Sequence, residues 1–262
     1  MIRKAWNLGL LTMVLAGLPA AVAAQEDFQW RGRIDEGLIL EIKGVNGRVM
    51  AEPAGGDMAL VVAEKRARRD DPESVRIEVV EHDGGITICA VYPTPRRARR
   101  ENECAPGDQG RMSVHDNDVR VDFTVRVPDG VRLWAKTVNG DVEARRIGAD
   151  VLAETVNGDV DVVAAGFVEA ETVNGSIDAV MGRSDFRSGV SFETVNGSIT
   201  VTMPEGLNVD FDASTVNGGI ETDFPITIQG RMSPRRLRGR IGEGGPELSF
   251  TTVNGSIRLR RQ

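Results

Sequence analysis

Aromatic side chains are scarce in this 262-residue chain: eight phenylalanines, three tryptophans and one tyrosine make up 5% of it. A thick globule built around rings is therefore excluded, and the interior must come from Val, Ile, Leu and Ala, which suits thin stacked layers. Histidine occurs only at His82 and His115, neither spaced to another ligand as a zinc site requires, and no G-x-S-x-G elbow is present. Zinc-dependent and serine-nucleophile chemistry thus find no candidates. Lysine is nearly missing, since of 32 basic residues only Lys4, Lys43, Lys65 and Lys136 are lysines. A formal charge of −7 argues against nucleic acid as the partner. After residue 24 no stretch is apolar enough to cross a bilayer.

Cysteine occurs twice, at Cys89 and Cys104. A bridge between them would close a loop of about 15 residues and contribute on the order of 3 kcal/mol. The alternative is a free, buried Cys89 in a strand over 86–90 and an incidental Cys104. The first residues run Arg3, Lys4, an apolar segment from about Leu8 to Leu18, Pro19, and small residues to Ala24. That order reads as a secretory signal peptide over 1–24, and its loss would take the charge from −7 to −9. The expectation is an exported protein, periplasmic or at the cell surface or secreted, without a transmembrane segment after cleavage.

What is abundant is one tetrapeptide. Thr-Val-Asn-Gly begins at Thr137, Thr155, Thr172, Thr194, Thr215 and Thr252, and Gly44-Val45-Asn46-Gly47 lacks only the threonine. Recurrence of this kind marks a structural repeat. Its flanks repeat too. Four residues before each threonine stand Leu133, Val151, Val168, Val190, Phe211 and Leu248; five after stand Val142, Val160, Ile177, Ile199, Ile220 and Ile257. Each unit reads as strand, corner, strand, with one apolar face.

Asn-Gly between strands ordinarily signals a two-residue hairpin. Around Asn157-Gly158, however, a hairpin sets Glu154 opposite Asp161, and around Asn174-Gly175 it sets Glu171 opposite Asp178. Like charges directly opposed are unfavourable. The preferred reading is an all-β, parallel β-solenoid of about 17–22 residues per coil, with Val-Asn-Gly corners at Asn46, Asn139, Asn157, Asn174, Asn196, Asn217 and Asn254. In it the corner valine turns inward, the asparagines stack as an amide ladder, and Asn-Gly bends sharply because both residues accept left-handed backbone. Residues 25–130 form a β-rich N-terminal part with an irregular Arg- and Pro-rich loop over 93–118, and 131–262 the regular array, with an arginine-rich excursion over 230–246.

Two sets of residues point to binding. Asp141, Glu143, Asp159 and Asp161, with Asp178 next in line, would stack into one outward acidic patch, whose readings are a calcium site or a solvated face. The basic residues Arg96, Arg97, Arg99, Arg100, Arg231, Arg235, Arg236, Arg238 and Arg240 would suit an anionic lipid, lipopolysaccharide or protein partner, or lie solvated. No catalytic or cofactor-binding residue is identified.

The signal peptide, the Val125-Arg126-Val127-Pro128-Asp129-Gly130-Val131 strand and the Thr-Val-Asn-Gly-Asp/Ser-Val/Ile units together resemble a bacterial family of candidate adhesins of unknown function. The likeness covers roughly Leu38 to Leu259. It implies a β-solenoid that acts as a non-enzymatic scaffold or adhesin-like interaction module of the cell envelope or surface, and it brings no catalytic residues. The alternative is a carbohydrate-active β-helix enzyme acting on an envelope polysaccharide with paired acids.

Overall fold

Alternation at a period of two is what half-buried strands require. In Arg120–Val127 the buried residues are Val121, Phe123, Val125 and Val127, and the residues between them are not buried. A computed structural model describes residues 28–228 and 233–262, so that the expected signal peptide and Arg231 lie outside the described residues. Among the described residues the chain is all-β, with 3-10 turns only at Pro72–Ser74 and Gly107–Gln109.

The strands form two sheets whose inner faces share one hydrophobic core. The ten strands of the first lie side by side in the order Phe28–Arg33, Met58–Arg66, Arg120–Val127, Val49–Pro53, Val142–Ile147, Val160–Ala164, Ile177–Met181, Ile199–Met203, Ile257–Arg261, Ile220–Thr222. The eleven of the second run Ile226–Ile228, Arg236–Ile241, Val209–Ser214, Glu247–Thr251, Val190–Glu193, Val168–Glu171, Val151–Glu154, Arg132–Lys136, Ile39–Lys43, Gly85–Val91, Arg76–His82. Pairing is parallel through the middle of both sheets and antiparallel only towards their ends.

Each unit gives one strand to the second sheet, turns at Thr-Val-Asn-Gly, and gives the next strand to the first sheet. Equivalent residues of neighbouring units pair in register: Ala153 with Ala135 and Ala170, Val160 with Val142 and Ile177. The hairpin alternative fails here, because the strands flanking Asn157-Gly158 belong to different sheets. The columns fill the core, with alanines at one level giving way to Phe192 and Phe250, which stack with centroids 5.3 Å apart.

Stacking order departs from chain order. The corners contact one another in the sequence Asn46, Asn139, Asn157, Asn174, Asn196, Asn254, Asn217. The last unit of the chain is therefore inserted as the penultimate layer. The chain leaves the Thr215 unit, forms Ile226–Ile228 and Arg236–Ile241 beyond it, and returns with Glu247–Thr251 between Val190–Glu193 and Val209–Ser214. Arg236–Ile241, inside the arginine-rich stretch 230–246, is thus a strand of the second sheet.

The corner itself corrects two expectations. Its valine faces outward in the regular array: Val138, Val156, Val195, Val216 and Val253 are 36–51% exposed and Val173 is half-buried, Val45 of the first corner being buried, while the threonines are at most 5% exposed. Alternation explains the exchange, for Ala153 faces in, Glu154 out, Thr155 in and Val156 out. The buried hydroxyl is satisfied by donating to the motif glycine's carbonyl one layer away, Thr155 to Gly140 at 2.8 Å and Thr172 to Gly158 at 2.9 Å. Left-handed backbone is also not the reason for Asn-Gly. None of the motif asparagines, and of the motif glycines only Gly47, has positive φ. Glycine is required by close stacking, since a Cβ on Gly158 would lie 2.1 Å from the Gly140 carbonyl oxygen and one on Gly175 1.9 Å from that of Gly158.

The asparagines do form a ladder. Each Nδ2 donates to the Oδ1 of the preceding layer at 2.7–2.8 Å, from Asn217 at one end to Asn139 at the other. Asn46 closes that end by donating to the carbonyl of Val119 at 3.4 Å.

Candidate functional site

Residues that do not repeat collect at one end of the stack, where the segment 93–118 folds over the outer face of the second sheet. Tyr92, just before it, is buried and donates its hydroxyl to Val119 at 2.7 Å; burial pushes its pKa up to about 12. Asn102 is buried and ties the two limbs together, donating to the carbonyls of Tyr92 at 3.0 Å and Ser113 at 2.8 Å and accepting from the Ser113 N–H at 2.7 Å. Glu103 and Arg111 exchange backbone hydrogen bonds at 2.9 and 3.0 Å. Cys89 and Cys104 are bridged, with Cα atoms 5.7 Å apart, fastening the segment to the strand Gly85–Val91.

Charged groups complete the attachment. Glu41, 2% exposed, accepts from the Thr87 hydroxyl at 2.7 Å and from the Gly107 N–H at 3.1 Å, and its other oxygen lies 3.2 Å from the Lys43 ammonium. Lys43 in turn donates to the carbonyls of Ala105 and Gly107. Lys136 bridges Glu154 at 2.9 Å and Asp108 at 3.1 Å and stands over the Trp134 ring at 4.7 Å. Burial pulls its ammonium down, but those two carboxylates outweigh burial and hold it above its ordinary value. The sequence carried a signal for this cluster. At the position before each corner Lys43 and Lys136 stand in the column that later holds Glu154, Glu171 and Glu193.

Beneath the segment is an open cleft of about 360 Å³, floored by the corner valines Val45, Val138, Val156 and Val173 and walled by Met112. At its tip, a turn closed by Ala98 N–H donating to Pro95 at 2.8 Å exposes Arg96, Arg97, Arg99 and Arg100. Among the described residues none of these four has a carboxylate partner, although Glu101 and Glu103 follow them in the chain. The other arginine cluster differs: Arg236 and Arg238 both contact Asp212, and Arg240 lies 3.6 Å from Asp210 across the antiparallel pair. Arg235 sits at the start of that strand with no carboxylate partner among the described residues.

No protein family and no curated protein matches the chain. Among solved structures it is similar to a candidate cell adhesion protein from Clostridium sporogenes, at 13% identity over 90% of this chain and 100% of that one, with a TM-score of 0.45. A candidate adhesin from Bacteroides fragilis is similar at 11% identity over 91% and 98% of the two chains, with a TM-score of 0.32.

The acidic residues form two columns rather than one patch. Asp141 and Asp159 cap successive corners: Asp141 accepts the Asp159 N–H at 3.0 Å, and Asp159 accepts the Ser176 N–H at 2.7 Å. Glu143, Asp161 and Asp178 are lateral neighbours on the first sheet, and Glu143 is engaged by Arg145. Asp178 is raised by burial and then by the charge of Asp161. Among the described residues no three His, Cys, Asp or Glu side chains gather as a metal site would need. His82 contacts Thr87 at 3.2 Å, and His115 lies beside Asp116.

Proposed function

We propose that the chain is an exported, non-enzymatic β-solenoid scaffold of the cell envelope that presents the loop over 93–118 to an anionic surface. One observation carries this reading: four exposed arginines that have no carboxylate partner among the described residues, on a loop fixed at its base by a disulfide and by the buried Asn102. A fixed loop keeps the charges together without the ordering entropy that a free tail would lose on binding. Guanidinium forks suit phosphate and carboxylate groups. The bridge between Cys89 and Cys104 agrees with an oxidising, extracytoplasmic compartment. Of the paired acids that an envelope-polysaccharide hydrolase would draw on, Asp141 and Asp159 are acceptors for backbone N–H groups, which favours the scaffold over the enzyme.

Sedimentation with vesicles rich in anionic phospholipid tests the proposal. Binding is expected at low salt and should fade as salt screens it. Each arginine near such a surface contributes about 1 kcal/mol, so replacing Arg96, Arg97, Arg99 and Arg100 together by Ala should weaken binding by up to about a thousandfold. Replacing Arg236, Arg238 and Arg240, which already face Asp210 and Asp212, should weaken it far less. Absence of binding at low salt, or equal losses in the two variants, would overturn the assignment.

A further inference from the structure

The chain holds seven Asn-Gly pairs, the sequence most prone to spontaneous loss of the side-chain amide, because glycine lets its own nitrogen swing onto the asparagine carbonyl carbon. In six of them the stack prevents this. The glycine N–H donates to the asparagine carbonyl of the next layer: Gly47 to Asn139, Gly140 to Asn157, Gly158 to Asn174, Gly175 to Asn196, Gly197 to Asn254 and Gly255 to Asn217, at 2.9–3.1 Å. Each of those asparagines also has its Oδ1 held by the amide of the following layer.

Asn217-Gly218 is the seventh and ends the ladder. Among the described residues the Gly218 N–H and the Asn217 Oδ1 have no partner, and the pair is held by the Asn217 N–H to Val253 at 2.8 Å, its Nδ2 to Asn254 at 2.8 Å and its carbonyl, which accepts from the Gly255 N–H at 3.1 Å. Gly218 is the one exposed motif glycine; the others are buried or half-buried. The residue after it is Gly219, where the neighbouring layers carry Ser256 and Ser198, and a Cβ there would meet nothing within 4 Å. Val216 is correspondingly the most exposed of the corner valines, at 51%.

We infer that Asn217 is a self-modification site, the one corner at which this protein converts asparagine to aspartate and isoaspartate with age. The Gly218 nitrogen, losing its proton to hydroxide, bonds to the Asn217 side-chain carbonyl carbon. The bond from that carbon to Nδ2 breaks and Nδ2 leaves as ammonia, giving a five-membered imide. Water then opens the imide at either carbonyl. The net change exchanges amide and water for carboxylate and ammonia, without redox. The product places a new negative charge at the corner that precedes Glu221 and Asp223 in the chain, which already face Arg258 and Arg260. Its isoaspartate form lengthens the backbone at the last corner, so ageing loosens the stack from this end.

The test incubates the purified full chain at mildly alkaline pH and locates converted residues by fragment-ion mass spectrometry, following ammonia release in parallel. Asn217 should convert at least about tenfold faster than any other Asn-Gly, since protected corners react only through local opening. The variant Asn217→Gln, whose longer side chain does not close the imide readily, should lose the fast phase of ammonia release. If another corner converts as fast as Asn217, or if Asn217 survives conditions that convert an unstructured Asn-Gly peptide, the inference is wrong. The wild-type measurement decides the matter even if the variant does not fold.

Discussion

Within a single corner, the four residues do four separate jobs, and three of them, Thr, Asn and Gly, meet the core or the neighbouring layer. Thr155 is buried and hydrogen-bonded to Gly140, while Val156 faces solvent at 37% exposure. The polar residue should therefore matter more to stability than the apolar one beside it. Thr155→Val leaves a buried carbonyl short of a donor and should lower stability by about 1–2 kcal/mol. Val156→Ser should stay within about 0.5 kcal/mol. Urea unfolding of the two variants distinguishes this arrangement from one with an inward valine, which predicts the reverse order.

Asp178 offers a test through pH. Its folded-state pKa is raised, by burial first and by Asp161 second. The folded protein therefore holds this proton more tightly than the unfolded chain, and the charged group destabilises the fold above its folded pKa. That penalty is relieved as pH falls through the folded pKa towards the unfolded value of 3.8. Asp178→Asn should be neutral or stabilising at neutral pH, and its advantage over wild type should shrink on acidification. Urea midpoints measured from neutral pH down to about 4 give the slope.

Among the elements, the loop over 93–118 is the piece whose order rests on something other than strand pairing. Its hold comes from the bridge, from Asn102 and from the lysine contacts, so it should open locally more readily than the paired strands. Replacing Cys89 and Cys104 by Ala should reduce stability by no more than about 3 kcal/mol. Hydrogen exchange should show lost protection at Glu103, Arg111 and Ser113, with the strands between Val142 and Met181 unchanged. The two cysteines made the bridge one of two readings from spacing alone. Closure is decided by the distance between Cα atoms, which depends on where the strand Gly85–Val91 and the returning loop meet. The arginines were equally visible in the sequence, but whether they are paired was not. Arg236, Arg238 and Arg240 are neutralised because antiparallel pairing sets them opposite Asp212 and Asp210, whereas Arg96 to Arg100 lie outside every strand of the described residues.

For the whole molecule, stacking equivalent layers makes each unit's contacts those of its immediate neighbours. Removing one complete period should then leave the flanking layers able to meet. Deleting residues 155–171 joins Glu154 to Thr172, sets Ala153 against Phe192 in the second sheet and Val142 against Ile177 in the first, and keeps every column. The shortened chain is expected to fold, with a smaller urea m-value in proportion to the surface lost. A deletion of 155–167, which breaks the period, should not fold. Circular dichroism and the m-value of the two chains check both statements.

The chain by itself determined the all-β character, the period, the inward columns and the asparagine ladder, because a two-residue alternation and a repeated corner are local facts written in every unit. Tertiary structure decided which side of the corner faces in and why glycine stands there, since both depend on how near the next layer comes. It also decided the order of the layers. Units with the same columns present the same edges, so any of them can pair with any other. What places the Thr252 layer between those of Thr194 and Thr215 is the returning strand pair at the end of the stack, which only the folded chain contains.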